Sequence, residues 1–202
     1  MILEENNMEY NTNKTGYIEV ICGPMFAGKT EELIRRITRM DYAKRQYVVF
    51  KPRIDNRYST SEISSHNLRK ITAINIDKAS DVYKYIYDST QAVVIDEVQF
   101  FDDTMLDVCN DLAGRGLRVI CAGLDLDFKG EPFGIMPKLL AYAEKVTKLT
   151  AICLCCGEEA TRTQRIIDGH AAYADDPIVL VGAKESYEAR CRKCHVVLHH
   201  DK

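Results

Sequence analysis

The run Gly23-Pro24-Met25-Phe26-Ala27-Gly28-Lys29-Thr30 has the residue types and spacing that bind nucleoside triphosphates. In a G-x-x-x-x-G-K-T pattern the glycines let backbone N–H groups crowd round phosphate oxygens, the lysine reaches the outer phosphates, and the hydroxyl can ligate magnesium. The run lies between an apolar stretch, Tyr17 to Cys22, and an amphipathic one, which is the context such a loop requires. A second apolar stretch, Ala92 to Ile95, ends in Asp96-Glu97 and so delivers two acids at the C-terminal end of a strand, where ligands of open α/β sheets bind. Phosphoryl transfer asks a protein mostly for positioning and charge neutralisation. Asp96 suits the magnesium side, directly or through water, with Thr30 supplying its hydroxyl. Glu97 suits a general base that draws a proton from whatever attacks the γ-phosphate; the plainer alternative is a solvated or helix-capping acid. The doublet does not name the nucleophile, because water-activating ATPases, helicases among them, place Asp-Glu at the same point.

Cys153-x-x-Cys156 and Cys191-x-x-Cys194 have the pair spacing of a closed, four-thiolate structural zinc site. A redox role for either pair would need a strand-to-helix context that neither has. Cys155 reads as a free thiol, and His195 as a neighbour that could compete for the metal. The residues between the pairs then form a lasso tied by metal. Its first part, Arg162 to Pro177, shows no strand or helix period. Ile178-Val179-Leu180-Val181-Gly182 is a short strand-like run that either lays its backbone against a planar ligand such as a nucleobase or fills a small core.

The elements that must position these groups follow from hydrophobic period. Strands are expected over Tyr17–Cys22, Tyr47–Phe50, Ala92–Ile95, Leu117–Cys121 and Val146–Ile152. A helix starting at Thr30 presents Leu33, Ile34, Ile37 and Met40 on one face. Others run from about Asp81 to Tyr87, from a cap at Asp102 or Asp103 to Gly114, and from Met136 to Lys145 with Pro137 in the first turn. Strands alternating with helices imply a parallel sheet covered on both faces. The polar stretch Lys51 to Lys70 is longer than an ordinary connection and is expected near the site. Residues 1–16 read as a disordered leader, 17–150 as an α/β phosphate-loop domain, and 151–202 as the zinc-anchored lasso or lid. The 202 residues, 46% hydrophobic with a net charge of −3, give one sizeable core and no basic field for nucleic acid. With no long apolar span, a soluble, cytoplasmic protein acting on a small molecule is expected.

Gly23 to Thr30, Ile95-Asp96-Glu97-Val98-Gln99-Phe100-Phe101, Pro132-Phe133-Gly134, Lys148-Leu149-Thr150-Ala151-Ile152-Cys153 and both cysteine pairs together resemble the type II thymidine kinases, in order from Tyr17 to Leu198. The resemblance implies a RecA-like α/β domain with a zinc-anchored lasso that uses ATP and magnesium to phosphorylate the 5′-hydroxyl of thymidine or deoxyuridine in nucleotide salvage. It also implies a homotetramer and thymidine triphosphate as feedback inhibitor. Carried over by position, Glu97 is the general base, and Lys29, Thr30 and Asp96 form the phosphate and magnesium group, with Gln99 on the cofactor side. The nucleoside pocket maps onto Met25, Phe100, Leu124, Phe128, Thr163 and Tyr187, with thymine held by backbone groups of Ile178, Val179, Leu180, Val181 and Gly182. As isolated residues, Met25 and Leu124 read as ordinary packing. Asp55 and Arg57 match a segment that approaches the phosphates, where a solvated pair is equally plausible, and Arg165 matches a residue near the 5′ end. Val98 stands where the family often has glycine, and Ile166 to Asp176 shows little identity. The competing function is a RecA-like ATPase whose zinc ribbon acts on nucleic acid or a protein partner. It would call for a basic surface that this acidic chain lacks.

Overall fold

Six strands form one parallel sheet in the computed structural model of the chain, which describes residues 15–53, 62–64, 70–178 and 185–200. β1 (Tyr17–Cys22) runs through the phosphate loop into α1 (Lys29–Tyr42), and β2 (Tyr47–Pro52) follows. An antiparallel hairpin of β3 (Glu62–Ser64) and β4 (Lys70–Thr72) precedes β5 (Ile74–Ile76). Next come β6 (Ala92–Ile95), α2 (Thr104–Gly114), β7 (Arg118–Gly123), α3 (Met136–Tyr142) and β8 (Lys145–Lys148). Across the sheet the order is β5-β2-β6-β7-β1-β8, with every pairing parallel.

Alternating side chains of the same strands serve two cores. Val20, Val93 and Val119 pack with Met105 and Leu112 of α2 and Leu139 of α3. Ile21, Val94 and Ile120 pack on the other face with Leu33, Ile37 and Met40 of α1. The apolar stripe read from the sequence of α1 is thus its buried face, and the fold is the expected helix-flanked parallel sheet. β7 lies between β1 and β6 and all three run parallel, so the phosphate loop and Asp96-Glu97 leave the same C-terminal end of the sheet.

Several boundaries differ from the expectations. Ala79–Tyr85 is a 3-10 helix in place of the α-helix expected over Asp81–Tyr87. Its buried residues, Ala79 and Val82, are three apart, which matches the three-residue turn of that tighter coil. The expected strand Val146–Ile152 divides: β8 ends at Lys148, Leu149 N–H donates to the Cys22 carbonyl at 2.8 Å, and the chain then leaves the sheet. α3 stops at Tyr142, three residues short of expectation, because Lys145 opens β8. At the start of α2 it is Asp102 whose carboxylate accepts from Thr104 N–H, at 3.0 Å.

The remaining chain builds a smaller β module. β9 (Ala151–Ile152) pairs with β10 (Glu159–Ala160), and β11 (Arg162–Ile167) lies between β12 (His170–Ala171) and β13 (Glu185–Arg190). The stretch from Arg162 was expected to be aperiodic, yet its first six residues are a strand. Hydropathy hides it because Thr163, Gln164 and Arg165 are all buried. Their polar groups find partners: Gln164 donates to the Val196 carbonyl and accepts from Val196 N–H, both at 2.8 Å. Among the described residues no helix is long and apolar enough to cross a membrane.

Candidate active site

The phosphate loop bends where glycine is required. Gly23 has φ 142°, and a Cβ there would sit 2.3 Å from the Leu149 carbonyl oxygen, so only glycine lets β1 and the Leu149 backbone approach. Gly28, at φ 80°, turns the chain into α1. Lys29 Nζ donates to the Pro24 carbonyl at 2.8 Å, folding its ammonium over the loop. Burial holds the Lys29 pKa below the ordinary lysine value, while the nearby Glu97 and Asp96 oppose that shift. The loop is fastened to the smaller module at two points. Met25 N–H donates to Thr163 Oγ1 at 3.0 Å, and Ala27 packs against Ala151, Cys153, Ala160 and Ala189.

Asp96 is buried at the end of β6 and accepts from Glu97 N–H at 3.0 Å. Burial, and then the neighbouring charge of Glu97, raises the Asp96 pKa to about 7. Glu97 itself adopts a left-handed backbone, φ 51°, which a non-glycine residue holds only when its surroundings enforce it. Its carboxylate accepts from Gln99 Nε2 at 2.6 Å, and Gln99 Oε1 accepts from Leu124 N–H at 3.1 Å. Gln99, read from the sequence as a cofactor contact, is thus seated behind Glu97 and is only 2% exposed.

A cavity of about 520 Å³ opens beside these groups. Lys29 and Glu97 line it together with Met25, Phe100, Leu124 and Phe128, and with Thr163, Ile178 and Tyr187 from the smaller module. Seven of the residues mapped to a nucleoside pocket, Met25, Phe100, Leu124, Phe128, Thr163, Ile178 and Tyr187, therefore gather in one concave space, although they come from six separated stretches of chain. Lys51, Pro52, Asp127 and Phe133 line the same cavity, the first two in the stretch Lys51 to Lys70 expected near the site, though none of the four was given a site role from the sequence. Their signal was positional: Lys51 and Pro52 end β2 and Asp127 follows β7 at the ligand end of the sheet, and Phe133 lies in the quoted Pro132-Phe133-Gly134 segment.

Arg165 is placed differently from the other mapped residues. It is fully buried and lies behind the cavity wall, with its guanidinium 5.0 Å from the Phe128 ring centroid and 6.0 Å from that of Tyr187. Its Nη1 donates to the Pro177 carbonyl at 2.6 Å. Asp55 and Arg57 lie outside the described residues, as do Val179, Leu180, Val181 and Gly182.

Cys153, Cys156, Cys191 and Cys194 converge, each sulfur within 4.8 Å of the others. Cys156 Sγ and Cys191 Sγ are 3.7 Å apart. A tetrahedron with metal–sulfur bonds of about 2.3 Å places its sulfurs about 3.8 Å apart, so this donor set fits zinc. Burial pushes the Cys153 thiol up, but backbone N–H groups led by that of Cys191 outweigh it and bring the pKa down to about 6, while the hydrogen bond with Cys191 holds the Cys194 thiol up. Cys155 stands outside the cluster and accepts from Arg190 Nη1 at 2.7 Å. His195 is likewise outside it, with Nε2 2.8 Å from the Phe128 carbonyl oxygen. The arrangement joins a phosphate-binding loop, a paired acid doublet, a mixed apolar and polar cavity and a fourfold thiol knot.

Residues 16–195 match the family model described as thymidine kinase. Among solved structures, the chain is similar to the genome packaging NTPase B204 from Sulfolobus turreted icosahedral virus 2 in complex with sulfate, at 16% identity and a TM-score of 0.42, over 69% of this chain and 75% of that one.

Proposed function

The chain belongs to the thymidine kinase family and phosphorylates thymidine with ATP, and from that premise we propose how its residues divide the task. The observation that carries the proposal is the single cavity in which Lys29 and Glu97 meet the residues mapped to the nucleoside pocket. The backbone N–H groups of residues 26–30 and the Lys29 ammonium cradle the ATP phosphates. Thr30 and Asp96 would hold magnesium, which would supply neutralising positive charge to the phosphates. Glu97 takes the proton of the thymidine 5′-hydroxyl as its oxygen bonds to the γ-phosphorus and the bond to the ADP oxygen breaks.

In this reading Phe128 offers a ring to the base, Met25, Leu124 and Thr163 surround it, and Phe100 and Tyr187 close the sides. The roles that the family resemblance gives Ile178 to Gly182 at the thymine edge, and Asp55 with Arg57 at the phosphates, belong to this proposal. Residues 17–150 form the kinase domain and 151–202 a lid whose base is anchored by zinc on Cys153, Cys156, Cys191 and Cys194. A lid that excludes water matters here, because water at the γ-phosphate would hydrolyse ATP. Deoxyuridine as a second acceptor, a cytoplasmic homotetramer that does not bind nucleic acid, and inhibition by thymidine triphosphate complete the proposal.

The test is thymidine-dependent ADP release by Glu97→Gln. Turnover should fall by about a hundredfold or more while thymidine binding, measured by calorimetry, persists. Near-normal turnover in a folded Glu97→Gln protein removes Glu97 from the base role.

A further inference from the structure

We propose that Gln99 is a positioning residue for phosphoryl transfer, holding the Glu97 carboxylate toward the acceptor hydroxyl and coupling it to the nucleoside pocket through the backbone of Leu124. The inference rests on the reading of Glu97 as proton acceptor. Gln99 does not line the cavity and touches neither substrate in that reading, so it acts through Glu97.

Three observations carry this role. The amide has one orientation that satisfies both of its neighbours. Leu124 N–H can only donate, so the group 3.1 Å from it must be Oε1, and this turns Nε2 onto Glu97 Oε2 at 2.6 Å. The seat is also cut to fit. A Cβ on Gly123 would lie 2.4 Å from Gln99 Oε1, and a Cβ on Gly134, at φ +49°, would lie 2.3 Å from the Gln99 carbonyl oxygen. Two glycines, Gly123 at the end of β7 and Gly134 in the turn before α3, therefore leave room for this side chain and its backbone. Finally, Glu97 sits in the left-handed region without being glycine, and the bond from Gln99 fixes where its carboxylate points.

The consequence is a short mechanical link. Leu124 lines the cavity, and its own N–H orients the amide that orients Glu97. A nucleoside that seats properly against Leu124 leaves the carboxylate aimed; one that displaces the Leu124 backbone rotates the amide and releases it. Gln99 thereby ties acceptor recognition to proton abstraction without taking part in the bond changes.

The experiment uses the full chain with Gln99→Met, which keeps length and burial but removes both hydrogen bonds, and Gln99→Glu, which keeps the acceptor for Leu124 and replaces the donor. Turnover, the thymidine dissociation constant and the melting midpoint are measured for each, alone and combined with Glu97→Gln. Gln99→Met should lower kcat about tenfold or more while the dissociation constant stays within about twofold, because a misaimed group costs rate and not affinity. In the Glu97→Gln background the same change should cost almost nothing further, since the group being aimed is gone. Gln99→Glu should move the acid limb of the pH–rate profile to higher pH, as two facing carboxylates share a proton.

Unchanged kcat in folded Gln99→Met, or an equal fold-loss in both backgrounds, overturns the inference. Should Gln99→Met not fold, the Gln99→Glu profile decides, and an unmoved acid limb overturns it. An inactive Glu97→Gln with a fully active Gln99→Met sinks this inference and leaves the base role standing. A fully active Glu97→Gln sinks the base role itself.

Discussion

The parallel sheet buries Val20, Val93 and Val119 on one face and Ile21, Val94 and Ile120 on the other, each backed by helices. Among the described residues, the module that begins at Ala151 has Ala151, Cys153, Ala160 and Ala189 as the buried members of its apolar cluster. Large branched side chains bury enough surface to hold the first region without help. Three alanines and a cysteine do not, and the gap coincides with four sulfurs gathered within 4.8 Å. The lid role proposed for the module suits a small core tied at its base, whereas phosphate positioning needs a rigid sheet. The cavity draws on both, with Glu97 and Lys29 from the sheet side and Thr163 and Tyr187 from the module.

The strongest way to break this comparison is to remove metal with a chelator. Structural zinc contributes on the order of 10 kcal/mol in small metal-folded modules, so the amides of β11 and β13 should lose hydrogen-exchange protection while those of β1, β6 and β7 keep theirs. Uniform loss across both regions would show that they form one cooperative unit. Cys191→Ser should act in the same direction and lower metal content by elemental analysis.

A smaller effect in the opposite region sharpens the contrast. Ile120 is fully buried beneath α1, and Ile120→Ala should cost about 2–5 kcal/mol, read as a lower denaturant midpoint of the sheet transition. Zinc per folded chain should be unchanged. A drop in metal content would mean that the module depends on sheet packing.

The smallest expected effect concerns pH. The folded pKa of Asp96, about 7, lies above its ordinary value of 3.8, so the ligand-free fold binds this proton more tightly than the unfolded chain does. The stability it contributes is present at low pH and is lost as pH rises through about 7. Between pH 6 and 8 the melting midpoint of the ligand-free protein should therefore fall relative to Asp96→Asn. Magnesium and ATP should reverse the trend by favouring the charged carboxylate. Parallel pH curves for the two proteins would deny Asp96 its raised pKa.

Much of the site was legible because phosphate chemistry demands fixed local patterns. Gly23 to Thr30 is one continuous run, and Asp96-Glu97 follows four apolar residues that can hardly be anything but a buried strand. The α1 stripe of Leu33, Ile34, Ile37 and Met40 was equally plain. Less was legible where burial is polar or where neighbours set the geometry. β11 was missed because Thr163, Gln164 and Arg165 are buried through hydrogen bonds and ring contacts that no hydropathy pattern records. β5 was missed because three residues carry too little period to stand out. Gln99 was placed with the cofactor by position, whereas its amide contacts Glu97 and Leu124, the latter 25 residues away.

The sequence by itself determined the reaction class, the two cysteine pairs with metal-ligand spacing and the alternation of strands and helices, since each is written in contiguous residues whose chemistry is local. Only the tertiary structure decided that Met25 is bonded to Thr163, that Lys51, Asp127 and Phe133 share the cavity, that Arg165 lies behind its wall, and that Gln99 faces Glu97. Those facts depend on strand order and on which side chains meet across it, and such meetings arise only when the whole sheet and the module close on one another.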